Sequence, residues 1–352
     1  MRALLGFLLG LLICMGLVAI AGESPAHVIM VLFKSAFGSG YDLGLTLFYM
    51  TSLIFTGLSV SMAFQAGLFN IGAEGQLLVG AMAATAFALL FPQTPGILAP
   101  CLAGLAAILA GGLWGWFPGY LKAKRGSHEV VVSMMMNFIA AGTTAYLALT
   151  YFKSQESQNP ETQMIAPQFL FKGFDFVSNA FPESPVNLSL LLALGLCFFL
   201  NWFLKKSRWG FELKATGMNE SAAEYSGIDP QKMKILAMTL AGALAGLVAF
   251  NEIMGSSGKF RIGFSPEYGF VGIAVALLAR NHPLWIIPSA FLFGALQKGA
   301  TDLDLETTYI TRDFARVLQA IIIFSVVALQ FLDLKKVRGF LQKLRIKNRG
   351  NL

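Results

Sequence analysis

Between Gly67 and Gly80 the chain reads GLFNIGAEGQLLVG, so Asn70, Glu74 and Gln76 interrupt a hydrophobic context among four glycines. Two amides and a carboxylate at this spacing can hydrogen-bond a polar solute, or can cap the helix ends of a simple turn. Two more carboxylates, Glu252 and Glu267, flank a later Gly/Ser-rich loop. A carboxylate inside a span is by default a functional candidate, whereas one at the interface is only hydrated. Other chemistries are excluded. There is no G-x-x-x-x-G-K-[ST] phosphate loop and no H-E-x-x-H, and His27, His128 and His282 lie far apart. Cys14, Cys101 and Cys197 sit in apolar runs without metal-ligand spacing and are expected to serve as packing residues. The residues therefore allow passage of a solute and offer nothing for ATP hydrolysis or proteolysis. No catalytic residue, metal or cofactor is expected.

The elements that hold these residues follow from composition. The 352-residue chain is 56% hydrophobic and only 13% charged, and apolar runs recur along its whole length. That pattern is an all-α, polytopic helical membrane protein. About ten spans are expected, with both termini cytoplasmic. They begin with a retained anchor over 3–21, and continue over 43–64, 76–91, 97–117, 130–151, 188–204, 235–254, a short piece at 267–279, 284–300 and 314–332. Pro25–Phe37 is expected to lie at the outer interface. Residues 152–187 lack a basic excess and are expected outside. Lys122, Lys124 and Arg125, the stretch 205–234 and the tail 333–352 are basic and are placed inside by the positive-inside rule. The net charge of +7 is explained by that bias and does not call for nucleic acid.

Residues 43–151 and 235–332 each hold a span, a break and further spans, starting from opposite sides. This predicts an inverted repeat within one transmembrane domain over 1–352, its broken helices facing each other near the midplane. A break in lipid is tolerated only inside protein or beside a water-filled cavity. Gly242-x-x-x-Gly246 and Gly111-x-x-x-Gly115 allow close helix approach. Arg280 and Lys298 are read as snorkelling to a membrane surface.

The stretch 205–234 is a polar island in an apolar chain and must face something soluble. Asn219 reads as an N-cap, Ala222 and Ala223 as helix interior and Gly227 as a stop, with Pro230 beyond. The short helix over 219–226 would present Ala222, Ala223 and Tyr225 as a small apolar patch to another protein.

Four segments carry a resemblance: GLFNIGAEGQLLVGAMAA, LKAKRGSHEVVVSMMMNFIA, GMNESAAEYSGID and GFVGIAVALLARNHPLWIIPSAFLFGALQKGA. Together they make the chain similar to the membrane permeases of ATP-binding-cassette importers, the family that includes ribose, branched-chain amino acid and nucleoside permeases. The wording at Asn70–Gln76 resembles the nucleoside and simple-sugar subgroup. His128 stands where the family pattern leads one to expect Asn, and 152–187 matches no known pattern. The resemblance implies a second permease subunit, cytoplasmic ATP-binding subunits, an extracytoplasmic solute-binding protein and a small polar solute, in a bacterial inner membrane. It implies a translocation pathway near Asn70, Gly72, Glu74, Gln76, Glu252 and Glu267, and ATPase coupling through Gly217, Asn219, Ala222, Ala223 and Gly227. Access would alternate as the two halves rock as rigid bodies. The rival reading is an ion- or proton-coupled carrier working alone, kept open by Glu74 and the two breaks.

Overall fold

The computed structural model describes residues 2–96, 98–171, 181–307, 310 and 312–331. The basic tail expected after 332 and part of the segment 152–187 lie outside the described residues. Among the described residues thirteen α-helices follow one another: α1 (Arg2–Ile20), α2 (Pro25–Phe37), α3 (Gly40–Gln65), α4 (Ala73–Leu90), α5 (Ala99–Arg125), α6 (Glu129–Thr150), α7 (Ser189–Lys206), α8 (Arg208–Met218), α9 (Glu220–Tyr225), α10 (Pro230–Gly246), α11 (Tyr268–Leu278), α12 (Pro283–Glu306) and α13 (Arg312–Phe331). A π-helical turn, Phe250–Ser257, continues α10. Among the described residues six helices are long and apolar enough to cross a membrane: α3 to α7 and the α10–π unit. The apolar parts of α1, α2 and α11 are shorter.

Helix α3 is the hub. Of its most apolar window 78% is buried, against 22% for α6, so α3 is central and α6 faces outward. A polar group in that position needs a partner inside the protein. The buried hydroxyls of Thr46, Thr51, Ser52, Thr56, Ser59 and Ser61 all have one. Ser61 and Gln65 both donate to the Asn281 carbonyl, at 2.9 and 3.0 Å, and so tie the end of α3 to the α11–α12 turn.

The packing is reciprocal. Helix α3 lies against α11 and α12, α10 against α4 and α5, and α3 also touches α10. Helix α6 covers α4 and α5 as α13 covers α11 and α12. The two Gly-x-x-x-Gly motifs meet each other across the α5–α10 seam. A Cβ on Gly242 would stand 2.1 Å from the Gly111 carbonyl oxygen, and one on Gly115 would stand 2.3 Å from that of Met238. These backbones touch because no side chain intervenes. The first helix of each expected repeat thus packs against helices of the other.

Two smaller expectations are corrected. Lys298 does not snorkel: it is 3% exposed and ion-paired with Asp42, at 3.2 Å, and with Asp302. Cys101 is exposed, unlike Cys14 and Cys197. The segment 152–171, unread in the sequence, runs alongside 254–262. Thr162 N–H donates to Phe260 O at 2.9 Å, Ile165 to Gly258 at 2.8 Å and Phe171 to Met254 at 2.7 Å. Glu161 pins this strap, paired with Lys259 at 2.6 Å and Arg261 at 3.3 Å. Its hydrogen bond from Lys259 holds its carboxyl below the usual carboxylate range.

Candidate functional site

The second break, expected over 267–272, starts earlier than that, at the π-helical turn, and the stretch from the turn to the start of α11 borders a chamber. A π-helical turn adds a residue to the hydrogen-bonded ring and displaces the side chains it carries. Here it ends at Gly258, whose φ of +65° is left-handed and whose N–H reaches the Ile253 carbonyl at 2.8 Å. The widened turn sets Asn251 and Glu252 against α3. Ser52 Oγ donates to Glu252 Oε1 at 2.7 Å and accepts from Asn251 Nδ2 at 2.8 Å. Asn251 Nδ2 also donates to the Phe48 carbonyl at 2.9 Å. Asn251 Oδ1 accepts from Asn187 Nδ2 at 3.0 Å and Ser189 Oγ at 2.9 Å. Tyr268 bonds the same Glu252 carboxylate from the start of α11.

Glu252 is 9% exposed, and it lines a cavity of about 360 Å³ with Tyr49, Phe264, Tyr268, Gln297 and Thr301. That volume falls at the lower end of the about 300–1,000 Å³ typical of small-molecule sites. Tyr49 and Tyr268 stand 6.5 Å apart, tilted by 48°. Tyr268 is itself buried, so the chamber offers one partly open ring, Tyr49, with a carboxylate and an amide for hydrogen bonding and hydroxyls that both give and accept.

The first break is closed. Asn70 and Gln76 are fully buried and pair through both amides, Asn70 Nδ2 to Gln76 Oε1 at 2.8 Å and Gln76 Nε2 to Asn70 Oδ1 at 3.1 Å. Asn70 Nδ2 also reaches Ser59 Oγ at 3.2 Å. Gly72 lies under this pair: a Cβ there would meet Asn70 Oδ1 at 3.2 Å and Gln76 Nε2 at 3.3 Å. Asn137 of α6 closes the other side, accepting from Gly75 N at 2.8 Å and donating to Ile71 O at 3.0 Å. Glu74 joins the breaks. Its Oε2 accepts from Gly269 N at 2.7 Å, and a Cβ on Gly269 would stand 2.3 Å from Glu74 N. The starts of α4 and α11 therefore abut. Glu267 is outside this arrangement: it is exposed, with a left-handed φ of +64°.

At the opposite end stand α8 and α9. The amphipathic helix α8 was not foreseen in the sequence. Asn219 caps α9, its Oδ1 accepting from Ala222 N at 3.0 Å. Gly227, with φ +80°, stops it, and Ile228 N–H closes on Ala223 O at 3.1 Å. The apolar patch differs from the expected one. Ala223 is 3% exposed and packed into its own chain, whereas Ala222 is exposed and Tyr225 is 94% exposed. Gly217, at the end of α8, touches the first break: a Cβ there would lie 2.2 Å from the Gln65 carbonyl and 2.8 Å from Gly67 N. The end of α8 thus meets Gln65–Gly67 backbone to backbone.

Asn251, Ser52 and Tyr268 escaped the sequence reading. The available signal was Asn251 beside Glu252 in an apolar run, followed by Gly255–Gly258.

The model of the family described as "Branched-chain amino acid transport system / permease component" matches residues 43–327. The guanosine ABC transporter permease NupP of Bacillus subtilis (strain 168) is 36% identical, covering 91% of each chain. The nucleoside ABC transporter permease NupB of Lactococcus lactis is 35% identical over 91% of this chain and 87% of its own. The glucose ABC transporter permease TsgB13 of Haloferax volcanii is 30% identical over 87% and 81%. The matched stretch holds both breaks, the chamber, and α8 with α9. With six apolar helices long enough to cross a membrane among the described residues and a family match over 43–327, the chain is a multi-pass membrane permease, and it belongs to the branched-chain amino acid transport system permease family.

Proposed function

We propose that this permease carries nucleosides or a related simple sugar in an ATP-driven importer of the bacterial inner membrane. The chamber at Glu252 supports the solute class. The partly open ring of Tyr49 suits a base or a sugar face, and Glu252 suits their N–H or O–H groups. The names of the relatives, guanosine, nucleoside and glucose permeases, point the same way.

ATP-binding subunits dock on the α9 end, which faces the cytoplasm along with both termini. A second permease subunit and an extracytoplasmic solute-binding protein complete the importer. The chain crosses the membrane about ten times, and the reciprocal packing of α3 and α10 supports an inverted repeat over 43–151 and 235–332. Docking energy enters through Ala222 and Tyr225, passes from Gly217 to Gln65–Gly67, and reaches the chamber through the Glu74–Gly269 contact. Ala223 and Gly227 give α9 its shape and do not touch the partner.

The test is uptake of labelled guanosine into proteoliposomes that hold the permease alone, or together with the second permease subunit, the solute-binding protein and the ATP-binding subunits. The expected result is accumulation only by the complete assembly with ATP. Accumulation by the permease alone under an ion gradient would overturn the reading in favour of a secondary carrier.

A further inference from the structure

Two adjoining cavities lie at the end of the bundle that carries α8 and α9, far from the chamber. The first, about 290 Å³, is enclosed by the end of α3 (Gln65), the end of α7 (Asn201, Lys205), Lys214 of α8 and the α11–α12 turn (Arg280–Pro283). Among the described residues none of Lys205, Lys214 and Arg280 forms an ion pair, although most neighbouring cations at this end do. Three buried polar atoms there lack a partner: Asn201 Oδ1 and Asn281 Oδ1, acceptors that call for a donor such as a headgroup hydroxyl, and His282 Nδ1. Buried polar atoms are nearly always satisfied, so such a cluster marks a place where something else binds. The turn itself is unusual. Arg280 and Asn281 both hold left-handed φ values, +54° and +56°, and strain of this kind collects at ligand sites. Burial, then the charge of Lys205, draws the Lys214 amine below its usual range, as expected of cations gathered without an anion.

The second cavity, about 700 Å³, shares Arg280 and His282 with the first and continues along Leu278, Ala279, Trp285 and Pro288. It is a mainly apolar groove opening from a cationic pocket. Trp202, Trp209 and Trp285, on the three helices around this pair, are all more than half exposed. Exposed tryptophans gather at the level of lipid headgroups.

We propose that the two cavities together bind one anionic phospholipid, its phosphate among Lys205, Lys214 and Arg280 and an acyl chain in the groove along Trp285 and Pro288. The shared lining explains the choice of occupant. A free phosphate would fill the first cavity and leave the second without a role, whereas a phospholipid has both the charge and the chain. Because Asn281 is held by Ser61 and Gln65, and Gln65 by its contact with Gly217, the lipid would brace the route from α9 to the first break.

The full-length permease in detergent is titrated with dioctanoyl phosphatidylglycerol, dioctanoyl phosphatidylcholine or inorganic phosphate. Thermal midpoint and native mass spectrometry are the readouts. Phosphatidylglycerol is expected to raise the midpoint and to be retained as a one-to-one adduct, with phosphatidylcholine binding about tenfold more weakly or worse. Lys214→Gln combined with Arg280→Gln should abolish the difference between the two lipids, and Lys206→Gln, outside both cavities, should preserve it. Lys205→Gln, on an exposed side chain, serves if the double variant fails to fold. Equal stabilisation by inorganic phosphate would assign a free-anion site and overturn the lipid. Equal response to the two lipids in the unaltered protein would overturn the site. Unchanged lipid preference in the double variant, with loss of ATPase-subunit binding, would assign the pocket to a protein partner instead.

Discussion

The two breaks occupy matching places in the fold and solve the same problem in opposite ways. Irregular backbone inside a membrane protein must find partners. At the first break the partners are internal: Asn70 and Gln76 saturate each other, and Asn137 caps both ends. At the second, the π-turn turns Glu252 toward a cavity and leaves acceptor capacity for a guest. Polar residues at a break therefore do not by themselves mark a pathway. What matters is whether their hydrogen bonds close on one another. Glu74, the carboxylate that most favoured an ion-coupled carrier, holds the two breaks together by its bond to Gly269 N.

Substitutions can break this contrast, and the largest effect is expected where the breaks touch. Gly269→Leu would drive a side chain into the Glu74 backbone, 2.3 Å from its Cβ position, and no folded permease should be recovered by fluorescence-detection chromatography. A monodisperse peak would mean that α4 and α11 separate easily. Next comes Gln76→Leu. It orphans the Asn70 carbonyl in a closed core and should cost about 1–3 kcal/mol, read as a lowered thermal midpoint. Asn70→Leu added to it should recover part of that loss, because it removes the orphaned amide and leaves only Ser59 Oγ without its partner. Additive loss would show that the amides do more than satisfy each other.

Glu252→Gln should do the reverse of Gln76→Leu. The amide keeps the shape and the Ser52 contact, so the thermal midpoint should change little, while ATP-dependent guanosine uptake falls at least about tenfold, or about 1.4 kcal/mol of lost interaction. Normal uptake would remove Glu252 from the pathway. The smallest effect is expected at Glu267→Gln. The side chain is exposed and lines no part of the chamber, so uptake should stay within about twofold of wild type, in keeping with the near-neutral effect of most surface changes. A large loss would extend the site beyond the cavity walls.

Helix positions were legible because apolar runs and caps are local signals. Asn219, Gly227 and the proline at residue 25 each stand within a residue or two of the helix end they mark. Facing was not legible. Helix α3 is apolar all round, so no periodicity says which side chain looks where. Ser52 finds Glu252 two hundred positions away in the chain. In α9 one residue's step about the helix separates inward Ala223 from outward Ala222, and composition treats them alike. The two glycine motifs were visible singly, but their meeting across α5 and α10 is a fact of the fold.

The exchange of α3 and α10 between the halves also governs biosynthesis. Helix α3 emerges first, yet its hydroxyls at Ser52 and Ser61 are matched by Glu252 and the Asn281 carbonyl. Some 200 residues separate these partners, about 10–40 s of translation at about 5–20 residues per second. For that interval the helix waits in the bilayer with only its own backbone to bond, as Thr51 still does with Leu47. A chain that stalls before the π-turn would leave the Ser52 and Ser61 hydroxyls without these late partners.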